Sequence, residues 1–219
     1  MQHQPTPASD VAFTEAVKAI QQRKGSREDY ARLEARGGFD TAITPELAEF
    51  IAQQRSFFIA TANAGGQPYI QHRGGPPGFL AVIDATTLGF ADFKGNRQFI
   101  TEGNLRDNPR AFIFLVDFAT RRRIKLWGTA RIVEDEPALL ERLMPAGYRA
   151  RAEQVMLFTV TAWDENCPQH IPQRFEADCV ARELDERDRR IAQLEKELGA
   201  ARLALHVRQK TRRAVSKSP

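Results

Sequence analysis

A chain of 219 residues that is 42 % apolar and carries 14 phenylalanines can bury a core, which excludes wholesale disorder. No apolar run approaches the roughly 18 residues that a bilayer span requires, and residues 1–17 have neither the basic nor the apolar stretch of a signal peptide. The formal charge of +4 is local: Arg208, Lys210, Arg212, Arg213 and Lys217 lie in the last fourteen residues, and +4 − 5 leaves the rest at −1. Such a basic tail reads first as a solvated terminus and second as a contact to a phosphate surface, so nucleic acid is not favoured as a partner. Cys167 and Cys179 are too few for a disulfide framework, which suits a reducing compartment; a cytoplasmic protein with no membrane partner is expected.

No element is expected for residues 1–9, which are polar with two prolines. Ser9 and Asp10 are placed to cap a helix through Lys24, with Phe13, Val17 and Ile20 at helical spacing. Residues 27–36 read as a second short helix ending at Gly37-Gly38. Thr44-Pro45-Glu46 gives an N-cap, a first-turn proline and an acid for a third helix to about Arg55. The period then changes to that of strands. Residues 57–61 form a β-prone run, Asn63-Ala64-Gly65-Gly66 a hairpin turn, and 67–72 the return strand. Residues 79–83 and 88–91 flank a turn at Asp84-Ala85-Thr86. Gly95-Asn96 opens a short helix through about Gly103.

Asn108-Pro109 resets the chain before an apolar strand over 111–117. Residues 123–133 alternate as a strand in which Gly128 marks a bulge. A short helix over 137–143 precedes a strand over 155–162. Six or seven short strands with few helices between them predict a mainly β (α+β) fold, an antiparallel six- to seven-stranded split β-barrel. Four segments result: an N-terminal helical extension (1–55), the barrel (56–175), a coiled-coil-like C-terminal helix (176–205) and the basic tail (206–219). In that helix Leu184, Ile191, Leu198 and Leu205 recur by sevens, with Leu194 and Ala201 three residues on and Arg187 interrupting. The seam fits either self-association or a helix lying on the barrel.

Three segments concentrate polar groups at strand ends. The first is Gln71-His72-Arg73 followed by Gly74-Gly75-Pro76-Pro77-Gly78, where glycines permit close approach to the backbone. The second is Asp92-Phe93-Lys94-Gly95-Asn96-Arg97-Gln98, where amides at a helix start beside two cations suit a phosphate. The third is the loop Asn166-Cys167-Pro168-Gln169-His170, with Gln173 and Arg174 beyond it. Each has a plainer reading: a turn, a solvated charge, or, for Arg121-Arg122-Arg123, an edge kept soluble. Cys167-x-x-His170 has the spacing of two metal ligands or of a nucleophile pair but lacks the further ligands a zinc site needs, so no metal is expected. Walker and Gly-x-Gly-x-x-Gly patterns are absent.

Taken in order, Gly66-Gln67-Pro68-Tyr69, the stretch from Leu88 through Asn108-Pro109-Arg110, Arg123-Ile124-Lys125-Leu126-Trp127-Gly128, and Asn166-Cys167-Pro168-Gln169-His170 resemble the pyridoxamine 5′-phosphate oxidase-like FMN-binding split barrels, in particular a subgroup of predicted flavin-nucleotide-binding proteins without an assigned substrate. The resemblance implies FMN as cofactor, an oxidoreductase acting on a small redox substrate, and a homodimer with the flavin at the subunit interface. It places Arg73, Lys94, Asn96 and Arg97 around the phosphate; Gln98 stands where the oxidases have Lys, a lost charge that Lys94 replaces, and Gln71 and His72 are further cofactor-binding candidates. Arg123 stands where the family commonly has a flavin-contacting Gln, with Lys125 beside it, and Asn166, Gln169 and His170 reach the ring from the partner subunit. The Trp and Arg-Leu-x-Pro ending by which the true oxidases grip pyridoxal phosphate is missing, so that activity is not expected. The alternative is a non-catalytic protein that binds flavin, haem or F420.

Overall fold

The structure is a computed structural model that describes residues 6–215, with side chains through residue 206. The expectations for residues 1–5 and for the tail's arginines and lysines beyond His206 lie outside the described residues or side chains. The chain divides into two compact units, Met1–Ile171 and Pro172–Pro219. Among the described residues no helix is long and apolar enough to cross a membrane.

The first unit opens with a short 3-10 helix, Ala8–Val11, then helices α1 (Glu15–Lys24), α2 (Arg27–Glu34) and α3 (Pro45–Gln53). The cap expected at Ser9 and Asp10 falls instead at Thr14, whose Oγ1 accepts from Val17 N at 3.4 Å. Ser9 is displaced because it packs into the backbone of Gly37-Gly38: a Cβ on Gly38, at φ +86°, would lie 2.7 Å from Ser9 Oγ. Helix α3 begins as its sequence dictates, with Pro45 in the first turn and Thr44 Oγ1 accepting from Leu47 N at 3.2 Å. Its apolar face buries Leu47, Phe50 and Ile51 in the main core.

Seven strands follow: β1 (Ser56–Ala62), β2 (Pro68–Gly74), β3 (Ala81–Val82), β4 (Thr87–Phe93), β5 (Arg110–Asp117), β6 (Arg122–Val133) and β7 (Ala152–Glu165), with α4 (Ile100–Asp107) and α5 (Pro137–Leu143) between them. They form one antiparallel sheet in the order β2-β1-β5-β6-β7-β4-β3. The turn at Asn63–Gly66 is as expected, with Asn63 Oδ1 accepting from Gln67 N at 3.0 Å and Gly66 at φ +82°. Alternation is clean along β5 and β6, where Ile113 and Leu115, and Ile124 and Leu126, point inward. The β6–β7 register slips between Trp127 and Gly128, as the bulge reading requires, and a Cβ on Gly128 would sit 2.0 Å from Thr159 O.

The sheet is rolled. Strands β1 and β4 stand apart in the order, yet Phe57 on β1 meets Phe90 on β4 edge-on at 5.2 Å. Both rings belong to one buried cluster with Ile59, Leu88, Ile113, Leu126 and Phe158. Among the described residues no backbone ladder joins β2 to β4, so the barrel stays split along that seam. Helix α4 stands there, through Asn104 Nδ2 donating to Thr61 Oγ1 (3.0 Å) and Thr101 Oγ1 donating to Gln71 Oε1 (2.7 Å).

The second unit holds α6, Ala177–Val215. It starts before and ends well after the residues 180–205 that the heptad pattern delimits, so residues 206–215 of the expected tail are helical.

Candidate functional site

A crevice opens along the split seam. Three segments line it: Tyr69, Gln71 and Arg73 from β2, the loop and helix start from Gly95 to Glu102, and Glu153, Gln154 and Met156 from β7, over Asp92 and Phe93. It encloses about 60 Å³, and an adjoining hollow of about 210 Å³ shares Gln71, Arg73, Asp92, Phe93 and Gly95 and adds His72 and Gly74.

The charges in this crevice are organised around a pair the sequence did not reveal. Arg73 Nη1 donates to Asp92 Oδ1, with side chains 17 % and 12 % exposed. Gln154 Nε2 donates to the other Asp92 oxygen at 3.1 Å and approaches Glu102 Oε2 at 3.5 Å. Burial pushes the Asp92 carboxyl above its usual range, opposed by the Arg73 charge and the Gln154 bond, with Glu153 and Glu102 adding to the rise. Arg73 Nε is buried without an acceptor. A buried guanidinium N–H in that state is costly, which makes it a donor in wait for an acceptor.

Arg97 stands more openly, with Nε 3.6 Å from Glu153 Oε1 and its guanidinium 5.4 Å from the Phe99 ring centroid. Arg97 and Phe99 both adopt positive φ, +59° and +54°, and Asn96 Oδ1 accepts from Gln98 N at 3.3 Å. That irregular loop explains a correction: the helix expected to open at Gly95-Asn96 begins only at Ile100. A left-handed residue at 97 and again at 99 cannot continue a right-handed helix. Lys94 is exposed and is not among the residues lining the crevice, although its backbone N–H is fixed to Arg151 O at 2.8 Å.

Of the sequence-derived residues, Gln71, Arg73, Asn96, Arg97 and Gln98 thus share one crevice, His72 lines its neighbour, and Lys94 flanks it. The others lie elsewhere. Arg123 and Lys125 sit on β6 with side chains opposite to buried Ile124 and Leu126. Arg123 Nε is buried without an acceptor, whereas Lys125 Nζ pairs with Asp164 at 2.8 Å and lies 5.3 Å from the Trp127 ring centroid. Trp127 itself stacks on Phe39 at 5.2 Å and also lines a hollow of about 630 Å³ with Ala60, Phe112 and Thr161. Arg122 makes a two-pronged bond to Glu165, both at 2.9 Å, and Arg121 turns at φ +58°. Asn166 donates its backbone N–H to Arg123 O at 3.1 Å, and His170 takes φ +63° in the following loop; neither they nor Gln169 line the crevice of their own chain.

Sequence reasoning passed over Thr101, Glu102, Glu153 and Gln154, used Tyr69 only as a mark of the resemblance, and saw Asp92 only as a polar strand end. A signal for Asp92 was present. It closes a strand whose residues from Leu88 to Ala91 are all buried, and a carboxylate there implies a buried partner.

Residues 43–167 match the family described as pyridoxamine 5′-phosphate oxidase. No curated protein matches the chain. Several solved structures are similar. HupZ of Group A Streptococcus shares 22 % identity over 61 % of this chain and 99 % of its own, with a TM-score of 0.47. An FMN-binding protein of Syntrophomonas wolfei shares 12 % identity over 67 % of this chain and 97 % of its own, with a TM-score of 0.44. A Clostridium acetobutylicum protein related to general stress protein 26 of B. subtilis, of the pyridoxinephosphate oxidase family, shares 17 % identity over 61 % of this chain and 93 % of its own, with a TM-score of 0.44.

Proposed function

The chain belongs to the pyridoxamine 5′-phosphate oxidase family, and from that premise we propose that it binds FMN and acts as an FMN-dependent oxidoreductase on a small redox substrate. One observation carries the reading. Arg73, with an unsatisfied buried Nε, shares a crevice with Asn96, Arg97 and Gln98, a donor set of the kind a terminal phosphate accepts from. The acids Asp92, Glu102 and Glu153 work against a dianion there. Burial raises the pKa of the Asp92 carboxyl, a shift in the direction that lessens this repulsion.

On this reading bound flavin supplies the hydride chemistry. Arg73 and Arg97 hold the phosphate charge, Lys94 closes over it from the flanking loop, and the Gln71 and Gln98 amides fix its orientation. Arg123 on β6 would offer the flavin a cation, which would shift its potential upward. Asn166, Gln169 and His170 complete the site of a second copy, which covers the outer face of β1, β2 and β5. That face is unusually apolar: Ile70 and Phe58 are 61 % and 36 % exposed, and Phe58 lies opposite both His72 and Phe114 in the ladders.

Purified protein should be yellow, and mass spectrometry of the co-purified ligand should return FMN. Lys94→Ala combined with Arg97→Ala should weaken FMN binding by at least tenfold, since a charge-assisted hydrogen bond contributes roughly 1.5–3 kcal/mol. Undiminished occupancy in that variant would remove the phosphate assignment. Stopped-flow mixing with NADH or NADPH tests turnover: flavin that binds but is not reduced by either makes the protein a carrier, and a different ligand in the mass spectrum replaces FMN by F420 or haem.

A further inference from the structure

The last helix carries a long apolar seam. Helix α6 runs for 39 residues, about 58 Å at 1.5 Å per residue. Val180, Leu184, Ile191, Leu194, Leu198 and Leu205 are each 42–58 % exposed. Their spacing follows a seven-residue repeat, with Leu184, Ile191, Leu198 and Leu205 at one core position and Val180, Arg187, Leu194 and Ala201 at the other. On a straight helix a strict sevenfold repeat drifts round the axis, and it is kept in contact by a second helix wound round it with the same repeat.

We propose that α6 pairs with α6 of a second copy of this chain in a parallel, in-register, two-stranded coiled coil. Charge decides the occupant and its direction. The positions flanking the seam are Glu183, Arg190 and Glu197 on one side and Asp188, Glu195 and Arg202 on the other. In a parallel pair the first set faces the second set five residues on. Arg190 then meets Glu195 of the second copy, and Glu197 meets Arg202, each twice by symmetry. Glu183 and Asp188 oppose like charges and Arg187 faces Arg187 of the second copy, but Glu183 lies one turn before Arg187, where it offsets that core charge. An antiparallel pair would set Ile191 against Leu194, bringing Arg190 to Glu197 but Asp188 to Glu195. Its attractions and repulsions cancel, and it lays Leu198 on Arg187. The parallel arrangement keeps a net attraction and stacks Leu198 on Leu198.

This inference does not depend on flavin, and its test is read independently of flavin content. In full-length protein carrying Cys167→Ser and Cys179→Ser, Leu198→Cys should form an interchain disulfide in most chains on air oxidation, because in-register strands put both 198 side chains in one layer. Adding Arg190→Glu should lower the cross-linked fraction several-fold, and adding Glu195→Arg to that should restore it. Cys167 is an exposed loop residue and the other substitutions lie on α6, so circular dichroism should stay unchanged. Absent cross-linking, or cross-linking indifferent to the Arg190 reversal, overturns the proposal. Rescue by Glu197→Arg in place of Glu195→Arg also overturns it, since that is the antiparallel result.

Discussion

Replacing Arg73 with Met tests how the barrel is closed across its open seam. The side chain keeps most of its length but loses its charge, and Asp92 is left as a carboxylate only 12 % exposed with Gln154 as its remaining donor. Breaking a buried ion pair by removing one partner costs about 3–5 kcal/mol, because the other charge remains desolvated. Asp92 has an escape that Arg73 lacks: it can take up a proton. Its folded-state pKa already lies above the unfolded value, so the native protein binds that proton more tightly than the unfolded chain does. Stability therefore falls as pH rises from the unfolded pKa through the folded one, and is regained on acidification. Without Arg73 the folded pKa climbs further, and each pH unit of the widened window is worth about 1.4 kcal/mol.

Urea unfolding of flavin-free protein between pH 5 and pH 8 should thus show a deficit for Arg73→Met that is largest at pH 8 and shrinks toward pH 5. Asp92→Asn alone should show a deficit that acid does not relieve, since the guanidinium stays charged. The double variant should return to within about 1 kcal/mol of wild type, as paired buried charges are often replaceable together. A pH-independent deficit for Arg73→Met, or a double variant as unstable as the sum of the singles, would show that the pair does not hold the seam.

Gly128→Ala should destabilise by about 1–3 kcal/mol or more in the same assay, because the new Cβ meets the Thr159 carbonyl, a backbone atom that cannot rotate aside; a neutral effect would mean the bulge is not tightly packed. Thr44→Ala should cost about 1 kcal/mol by releasing Leu47 N at the start of α3, whereas Thr44→Ser should cost little, and the comparison isolates the cap from the side chain's bulk. Phe58→Lys with Ile70→Lys should halve the mass found by light scattering if the outer sheet face joins two copies, provided that the α6 pairing is also broken by Arg190→Glu. Unchanged mass in that combined variant would place the interface elsewhere.

Local chemistry made much of this protein legible in its sequence. The period-2 burial of β5 and β6, the Asn63–Gly66 turn, the proline-led start of α3 and the bulge at Gly128 all follow from residues that act within a few positions of one another. Order and spacing of the short motifs identified the family, since they follow the strands and turns of the barrel in chain order. Three features escaped: that β4 closes back toward β2, that the loop through Arg97 and Phe99 delays α4, and that Arg73 belongs to Asp92. Arg73 and Asp92 are 19 residues apart in the chain, and Gln154 lies 62 beyond Asp92. Periodicity reports which face of an element turns inward, but it carries no information about what waits across the core. The rolling of the sheet supplied that, and with it the buried pair that sets the charge of the crevice.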